Sequence, residues 1–387
     1  MKTIFPDYKN SILNVTNSIL KYYNVKTNYP SLPTVDKSLS DSYDHIVYIL
    51  LDGLGVNIIK HHLEAEDALK KYLSQTITSV FPSTTVAATN AVISGTPPIV
   101  NGHLGWVQYF EKEDTNLVVF QNTDFYTGVK QKEDLRSKYL SYPRMIEQIK
   151  AINPMITTNE FFPSFAPNGS ESFLEEIDKA LITMHNNDQT FSYIYWIEPD
   201  LTEHKYGIYS NEVKTVLQNL NKNFTSFINN VPENTIVIAI ADHGLTDIEE
   251  INLYQYDELI DMLVRKTSIE PRVTNFFVKP AFHKAFENTF NALFEGKFKL
   301  FKTKDLLDLK WFGEGNHHKM IPSFLGDYIS VAMDKYMFSL TDKKSYKAHH
   351  AGLTSDEMEV PLIIYKKNKV RLTLFFIALY QYNNSYY

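Results

Sequence analysis

Two uninterrupted apolar runs constrain this chain most. "HIVYILLDGLG", from His45 to Gly55, and "NTIVIAIADHG", from Asn234 to Gly244, are apolar for most of their length and then end abruptly in charge. A strand with one wet face alternates; a run without alternation is buried on both faces of a sheet. Gly53 and Gly55 mark a turn after the first run. "VNIIKHHLEAEDALKKYL", which follows, reads as one amphipathic helix. The cycle recurs. "TITSVF" precedes a small-residue helix after Thr85, and "FSYIYWIEPD" precedes a helix near "SNEVKTVLQNLNKNFTSFI". An N-terminal helix in "NSILNVTNSILKYY" and a Pro/Ser-rich connector, "YPSLPTVDKSLSDS", come before the first run. Strand then helix, repeated, predicts the α/β class with a mainly parallel sheet. Such sheets bind ligands beyond the carboxyl ends of their strands. Asp52, Asp200, Asp242 and His243 all fall at such ends.

No internal repeat divides the 387 residues. We expect a single catalytic domain over 1–387, interrupted by two irregular stretches. One insertion runs from about 106 to 138. The other runs from about 251 to 342 and is expected to form a small cap subdomain over the site. The 25 Tyr and 25 Phe read first as packing.

A net charge of -7 lacks the basic stripe of a nucleic-acid binder, so no duplex partner is expected. There are no cysteines, which excludes disulfides and thiolate zinc sites. Any metal must be held by His, Asp or Glu. No signal peptide is apparent at the start. "LTLFFIALY", Leu372 to Tyr380, is shorter than the ~20 residues a span requires. It reads as a terminal strand or short docked helix, with a membrane-surface contact as the alternative. We therefore expect no membrane span and a cytoplasmic location. The oligomeric state is not legible.

The charged strand ends carry a chemistry. Asp200 and His204 are four apart and share one helix face. Asp242 and His243 are adjacent, and His349-His350 form a pair near the end of the chain. Carboxylates with imidazoles suit zinc, and also manganese or iron. Two such ions about 3.5–4 Å apart clamp both oxygens of an in-line phosphoryl displacement. "FPSTT" then puts Ser83, Thr84 and Thr85 at the mouth of a helix. Hydroxyls there ordinarily cap helices. Beside a divalent cation, Thr85 is instead a nucleophile, with backbone donors and a positive dipole end for phosphate. Singly, each signal has an ordinary reading: a turn Asp, a surface His pair, a capping Thr. Together they point to phosphoryl chemistry.

"ILLDGLG", "FPSTTVAATNAVISGTPP", "WIEPDLTEH", "ADHGLTD" and "HHAGLTSDEMEVPLI" resemble, in order, the motifs of the alkaline phosphatase superfamily. They are most similar to its type I phosphodiesterase/nucleotide pyrophosphatase branch, from about His45 to Leu362. The resemblance implies a central sheet sandwiched by helices and two zinc ions, with manganese or iron as alternatives. It implies Asp52, Thr85, Asp242 and His243 around one ion, and Asp200, His204 and His350 around the other. His350 is preferred to His349 because the family's ligand directly precedes a small-Gly-Leu run, here Ala351-Gly352-Leu353. The implied activity is hydrolysis of phosphodiesters or pyrophosphates, nucleotides included, through a phospho-threonine at Thr85. The alternatives are a phosphomonoesterase or phosphonate hydrolase on the same residues, and a non-catalytic protein that binds a phosphoryl ligand. The partner is then a small-molecule phosphate ester or nucleotide.

The sequence departs from the family pattern at two places. Ala87, Ala88 and Thr89 replace "Pro-Asn-His" after the nucleophile. "PIVNGHLGW" replaces "PxxHGIxGN", so Trp106 stands where the family has an Asn that hydrogen-bonds a phosphate oxygen. Asn101 and Trp106 are our candidates for substrate binding, with Asn90, Gln108 and Asn122 as further donors. Sulfatase chemistry lacks its Cys and its following Pro and Arg; a monoesterase would need an Arg, and the first is Arg136. Cofactor-independent mutases use Ser rather than Thr. Elsewhere, His61 and His62 read as solvated, and His103 as a residue near the site, with substrate contact as its lesser alternative. His317 and His318 read as loop residues, and Asp327 as closing a turn before a strand. Glu198 reads as an outer partner that orients a ligand.

Overall fold

The sheet follows from the apolar runs. In a computed structural model of the chain, which describes residues 2–341 and 345–369, six strands lie side by side. Their order is Leu73–Thr78, Glu359–Lys367, Thr235–Ile240, His45–Leu51, Thr190–Trp196, Thr157–Phe161. His45–Leu51 is parallel to both of its neighbours, and Thr157–Phe161 is parallel to Thr190–Trp196. Glu359–Lys367 runs antiparallel between its two neighbours. Every residue of His45–Leu51 and of Thr235–Ile240 is buried, as unbroken apolarity requires. The register pairs Leu50 with Ile240 and Leu51 with Trp196, so three chain segments leave the sheet at one edge.

Helices cover the sheet in two groups. Ile12–Tyr22 packs on Thr85–Ser94 and Met145–Ile152. Asn211–Asn230 packs on Phe173–His185, Val56–His62 and Ala68–Lys71. Asn211–Asn230 buries Val213, Leu217, Leu220, Phe224 and Phe227, spaced three and four apart along one stripe. The hydroxyl of Ser210 caps it by accepting the Val213 amide at 3.2 Å.

The helix expected over 56–73 is broken in two. Val56–His62 and Ala68–Lys71 flank a turn in which Asp67 accepts the Glu64 amide at 2.7 Å and the side-chain amide of Asn221 at 2.7 Å. A carboxylate bonded to nearby backbone competes with helix continuation. The Pro/Ser-rich connector contains a short helix, Pro33–Ser38, with proline at its first position, where no amide is needed.

The two irregular stretches form small antiparallel sheets. The first holds Val107–Phe110, Thr115–Val118 and Thr123–Asp124. The second holds Val273–Phe276, Tyr328–Ala332 and Phe298–Lys302, with the helix His283–Phe294 on top. Phe286, Phe290 and Phe294 of that helix are fully buried against Phe276 and Phe338, so much of the aromatic content is packing. Asp327, just before Tyr328–Ala332, accepts the Val278 amide at 2.8 Å and so ties that strand to the end of its neighbour Val273–Phe276, rather than closing a local turn. Backbone bonds between Val107 and Ile269 join the two stretches. The second is bolted to the rest by Arg272, whose guanidinium meets Glu357 at 2.7 and 2.8 Å, both residues fully buried. Leu372 to Tyr380 lies outside the described residues. Among those described, no helix is long and apolar enough to cross a membrane.

Candidate active site

The edge where the parallel strands end collects the charged residues. Asp52 follows its strand directly and takes the Trp196 carbonyl on its amide at 2.9 Å. The Asp200 amide donates to the Asp52 carbonyl at 3.1 Å, tying the two ends together. Gly53 makes this approach possible. Its φ is +77°, and a Cβ there would stand 2.8 Å from the Asp200 Cα. The Gly53 amide also donates to Asp242 Oδ1 at 3.1 Å. Asp200 and His204 share one face of the helix Asp200–Tyr206, as their spacing requires. Ser83 donates its hydroxyl to the Gly352 carbonyl at 2.8 Å, which ties the Thr85 loop to the His350 loop.

Two groups result: Asp52, Asp242 and His243, and Asp200, His204 and His350, with each group's ligand atoms within 4.8 Å of one another. His243 Nε2 lies 3.4 Å from Asp52 Oδ1 and from Asp242 Oδ2. Asp200 Oδ1 lies 3.4 Å from His204 Nε2 and 3.8 Å from His350 Nε2. The rings of His243 and His350 stack at 3.8 Å, so the groups adjoin.

The protonation pattern tests whether cations fit. His204 Nδ1 donates to the Ala348 carbonyl at 2.8 Å, and His243 Nδ1 to the Gly244 carbonyl at 3.3 Å. That assigns the proton to Nδ1 and leaves Nε2 as a lone pair facing carboxylate oxygen. Burial holds the His243 and His350 imidazoles below their usual range, so they are neutral rather than ion-paired. Asp52 Oδ1, Asp200 Oδ1 and Asp242 Oδ2 are buried with no hydrogen-bond partner. Burial, then the neighbouring Asp242 and Asp200, push Asp52 well up; burial and Glu198 push Asp200 up to about 8; burial also raises Asp242. Three orphaned carboxylate oxygens facing the lone pairs of His204 and His243, with the neutral His350 ring beside them, are costly alone and suited to divalent cations.

Thr85 opens the helix Thr85–Ser94, and its hydroxyl donates to His243 Nε2 at 3.1 Å. None of the three hydroxyls caps that helix. Ser83 is bonded to Gly352, and the hydroxyl of Thr84, at the N-cap position, donates to Glu270 Oε1 at 2.6 Å. The ordinary capping reading of this triplet therefore does not hold.

A cleft of about 680 Å³ opens over the groups. Thr85, Asp200, His204 and His350 line its floor, and Trp106, Phe125, Leu201, Phe338 and Tyr346 are among its walls. Trp106 is thus brought to the site. Asn101 is not: its amide is spent on the Thr96 carbonyl at 2.9 Å, and its Oδ1 accepts the His103 amide. It holds a turn. Asn90 accepts from Arg136 and Tyr142, Gln108 bonds Gly102 and Leu104, and Asn122 bonds the Glu133 carbonyl. His103 is fully buried against Tyr142 and away from the cleft lining. His62 is buried too, bonded to the Ile208 carbonyl at 2.8 Å, and is not solvated. Glu198 accepts the Thr202 amide at 3.1 Å and steadies the Asp200 helix. Sequence reasoning missed Tyr195, bonded to Asp52 Oδ2, and Glu270, in the cleft wall.

Comparison with known proteins gives the same reading of the fold. A family model described as type I phosphodiesterase / nucleotide pyrophosphatase matches residues 46–350. Human bis(5'-adenosyl)-triphosphatase ENPP4 is 30% identical over 113 residues, 27% of this chain. The chain spans only 24% of that relative's length in this match. Murine ectonucleotide pyrophosphatase / phosphodiesterase 5 superposes with a TM-score of 0.65 at 14% identity, covering 84% of this chain and 89% of its own. An inactive variant of that murine protein, threonine replaced by alanine, in complex with AMP, superposes with a TM-score of 0.64 at 14% identity, covering 85% and 90%. The ordered motifs, the sheet edge that gathers Asp and His, and a family model spanning residues 46–350 lead to one conclusion: the chain belongs to the type I phosphodiesterase / nucleotide pyrophosphatase family.

Proposed function

We propose that this chain hydrolyses phosphodiester or pyrophosphate bonds, nucleotides among its substrates, with Thr85 as the nucleophile. Asp52, Asp242, His243 and Thr85 would hold one zinc ion, and Asp200, His204 and His350 the other. When bound, such ions supply positive charge to the reacting phosphoryl group and lower the pKa of coordinated hydroxyls. The observation that carries the reading is the convergence of three unpartnered, buried carboxylate oxygens on neutral imidazoles beside a helix-terminal hydroxyl.

The residues divide the work. Thr85, the first residue of Thr85–Ser94, lines the cleft, and the positive end of the helix dipole favours an anionic phosphoryl group there. Thr85 Oγ forms the bond to phosphorus as the ester oxygen departs, and water then cleaves the phospho-threonine. The Ser83–Gly352 bond and the helix that Thr85 opens fix Thr85 in the cleft. Trp106 and Tyr346 give the organic part of a substrate an aromatic wall.

Turnover of bis-nitrophenyl phosphate beside mono-nitrophenyl phosphate, with zinc-loaded protein and with Thr85→Ala, tests this. We expect diester turnover to exceed monoester turnover, and Thr85→Ala to lower it by about 10⁴-fold or more while metal content holds. Full activity in Thr85→Ala would overturn the nucleophile. Faster monoester turnover would move the chain to phosphatase chemistry.

A further inference from the structure

Glu270 is 2% exposed, yet it lines the cleft with Thr85, Trp106 and Asp200. Its Oε1 accepts two bonds of 2.6 Å, from the Thr84 hydroxyl and from the Trp106 amide. Thr84 is the residue before the proposed nucleophile. Trp106 stands where the related motif has an asparagine donor. Glu270 therefore ties the backbone at Trp106 to the residue before Thr85. Its Oε2 bonds no group among the described residues.

Among the described side chains that line the cleft, none forms an ion pair with it. Arg272, two residues on, turns away to Glu357. The titratable groups that share the cleft walls are Asp200, His204, Lys205, Tyr346, His349 and His350. Lys205 is the one fixed cation of that set, and no bond joins it to Glu270 among the described residues. Burial, opposed by the bonds from Thr84 and Trp106 and reinforced by Asp200, pushes the Glu270 carboxyl up to about 7. Above neutral pH the group is charged.

We infer that Glu270 is a specificity-determining residue: its unpaired carboxyl oxygen beside Thr85 selects singly charged phosphodiesters over the dianionic terminal phosphate of monoesters. The inference rests on the phosphoryl-transfer reading above. A phosphomonoester carries nearly two charges above its second pKa of about 6, whereas a diester carries one. The extra charge meets a like charge whose own residue is nearly buried, which disfavours it.

Calorimetric titration of cation-loaded Thr85→Ala protein at about pH 8.5, where the carboxyl is ionised, reads this directly. The probes are AMP, a monoester, and bis-nitrophenyl phosphate, a diester. Thr85→Ala is compared with Thr85→Ala/Glu270→Gln and Thr85→Ala/Glu270→Ala. Removing the carboxylate should tighten AMP about tenfold and change the diester by about twofold or less. AMP affinity that stays the same or weakens, or AMP that binds none of the three proteins, overturns the inference. Glu270→Gln keeps an acceptor for Thr84 and Trp106; should it melt early, Glu270→Ala decides. In protein that retains Thr85, the monoester-to-diester turnover ratio should rise about tenfold in Glu270→Gln, and an unchanged ratio also overturns it. A protein with no turnover at all counts against Thr85 chemistry, while the AMP titration still decides Glu270.

Discussion

Arg272→Met is the most demanding test of how the structure is held together. Arg272 makes four bonds: two to Glu357 at 2.7 and 2.8 Å, one to the Tyr336 carbonyl at 2.7 Å and one to the Asp334 carbonyl at 2.8 Å. Both partners of the ion pair are fully buried. Methionine refills most of the volume, so cavity formation is a minor part of the loss. What remains is a carboxylate without its cation. Glu357 keeps three donors, the Gly352 amide at 2.7 Å, the Thr354 amide at 3.1 Å and the Thr354 hydroxyl at 2.7 Å. Breaking a buried pair from one side typically costs about 3–5 kcal/mol. Two carbonyls also lose their donors. That is a large part of the 5–15 kcal/mol by which folded proteins are typically stable. Urea unfolding of the metal-free protein would show the midpoint falling with little change in slope. Glu357→Gln should cost a similar amount, and the double variant less than the sum, because the two residues are coupled. A midpoint for Arg272→Met within about 0.5 kcal/mol of the parent, the scale of an ordinary surface change, would refute the reasoning.

Gly53→Ala should cost about 1–2 kcal/mol in backbone strain at φ +77° and push the Asp200 backbone outward. Elemental analysis should then find less metal bound; unchanged stoichiometry would remove Gly53 from the site's assembly. Stability without metal should depend on pH in an unusual direction. Asp200 is pushed up to about 8, and Asp52 and Asp242 are also raised, so folding takes up protons between about pH 4 and 8. Below about pH 6.5 the buried His243 and His350, held neutral, act in the opposite direction, so the comparison lies above that range: the metal-free protein should melt higher at pH 7 than at pH 9, by about 5 °C or more. Saturating zinc should reverse that order, since the cation takes the place of the protons. A metal-free protein that melts higher at pH 9 than at pH 7 would contradict the buried carboxylates.

The sheet and its charged edge were legible because their signals are local. Continuous apolarity in His45–Leu51 and Thr235–Ile240 allows only a doubly covered strand, and the charges follow directly. The Asp200–His204 spacing needs only a helical turn. What sequence could not show depends on partners far along the chain. The break after His62 follows from Asp67, whose partner Asn221 lies 154 residues away. His62 reads as solvated until Ile208 is placed over it. Thr84 reads as a cap until Glu270, 186 residues on, takes its hydroxyl. Asn101 was chosen as a free amide, but the turn consumes it. Glu270 and Tyr195 carry no motif at all. The choice of His350 over His349 rests on resemblance; geometry brings His350 Nε2 to within 3.8 Å of Asp200, while His349 Nδ1 turns to the backbone of His350.

The antiparallel strand Glu359–Lys367 has a consequence for how the molecule can be made. It lies inside the sheet, between Leu73–Thr78 and Thr235–Ile240, and arrives after all five other strands. Until it inserts, both neighbours expose unpaired backbone edges, the kind of surface that recruits other chains. His350 precedes it by nine residues, so the last metal-facing side chain and the strand that seals the sheet leave the ribosome almost together. A growing chain therefore holds an unsealed sheet and an incomplete candidate ion site until residues 350–367 emerge, and that one stretch completes both.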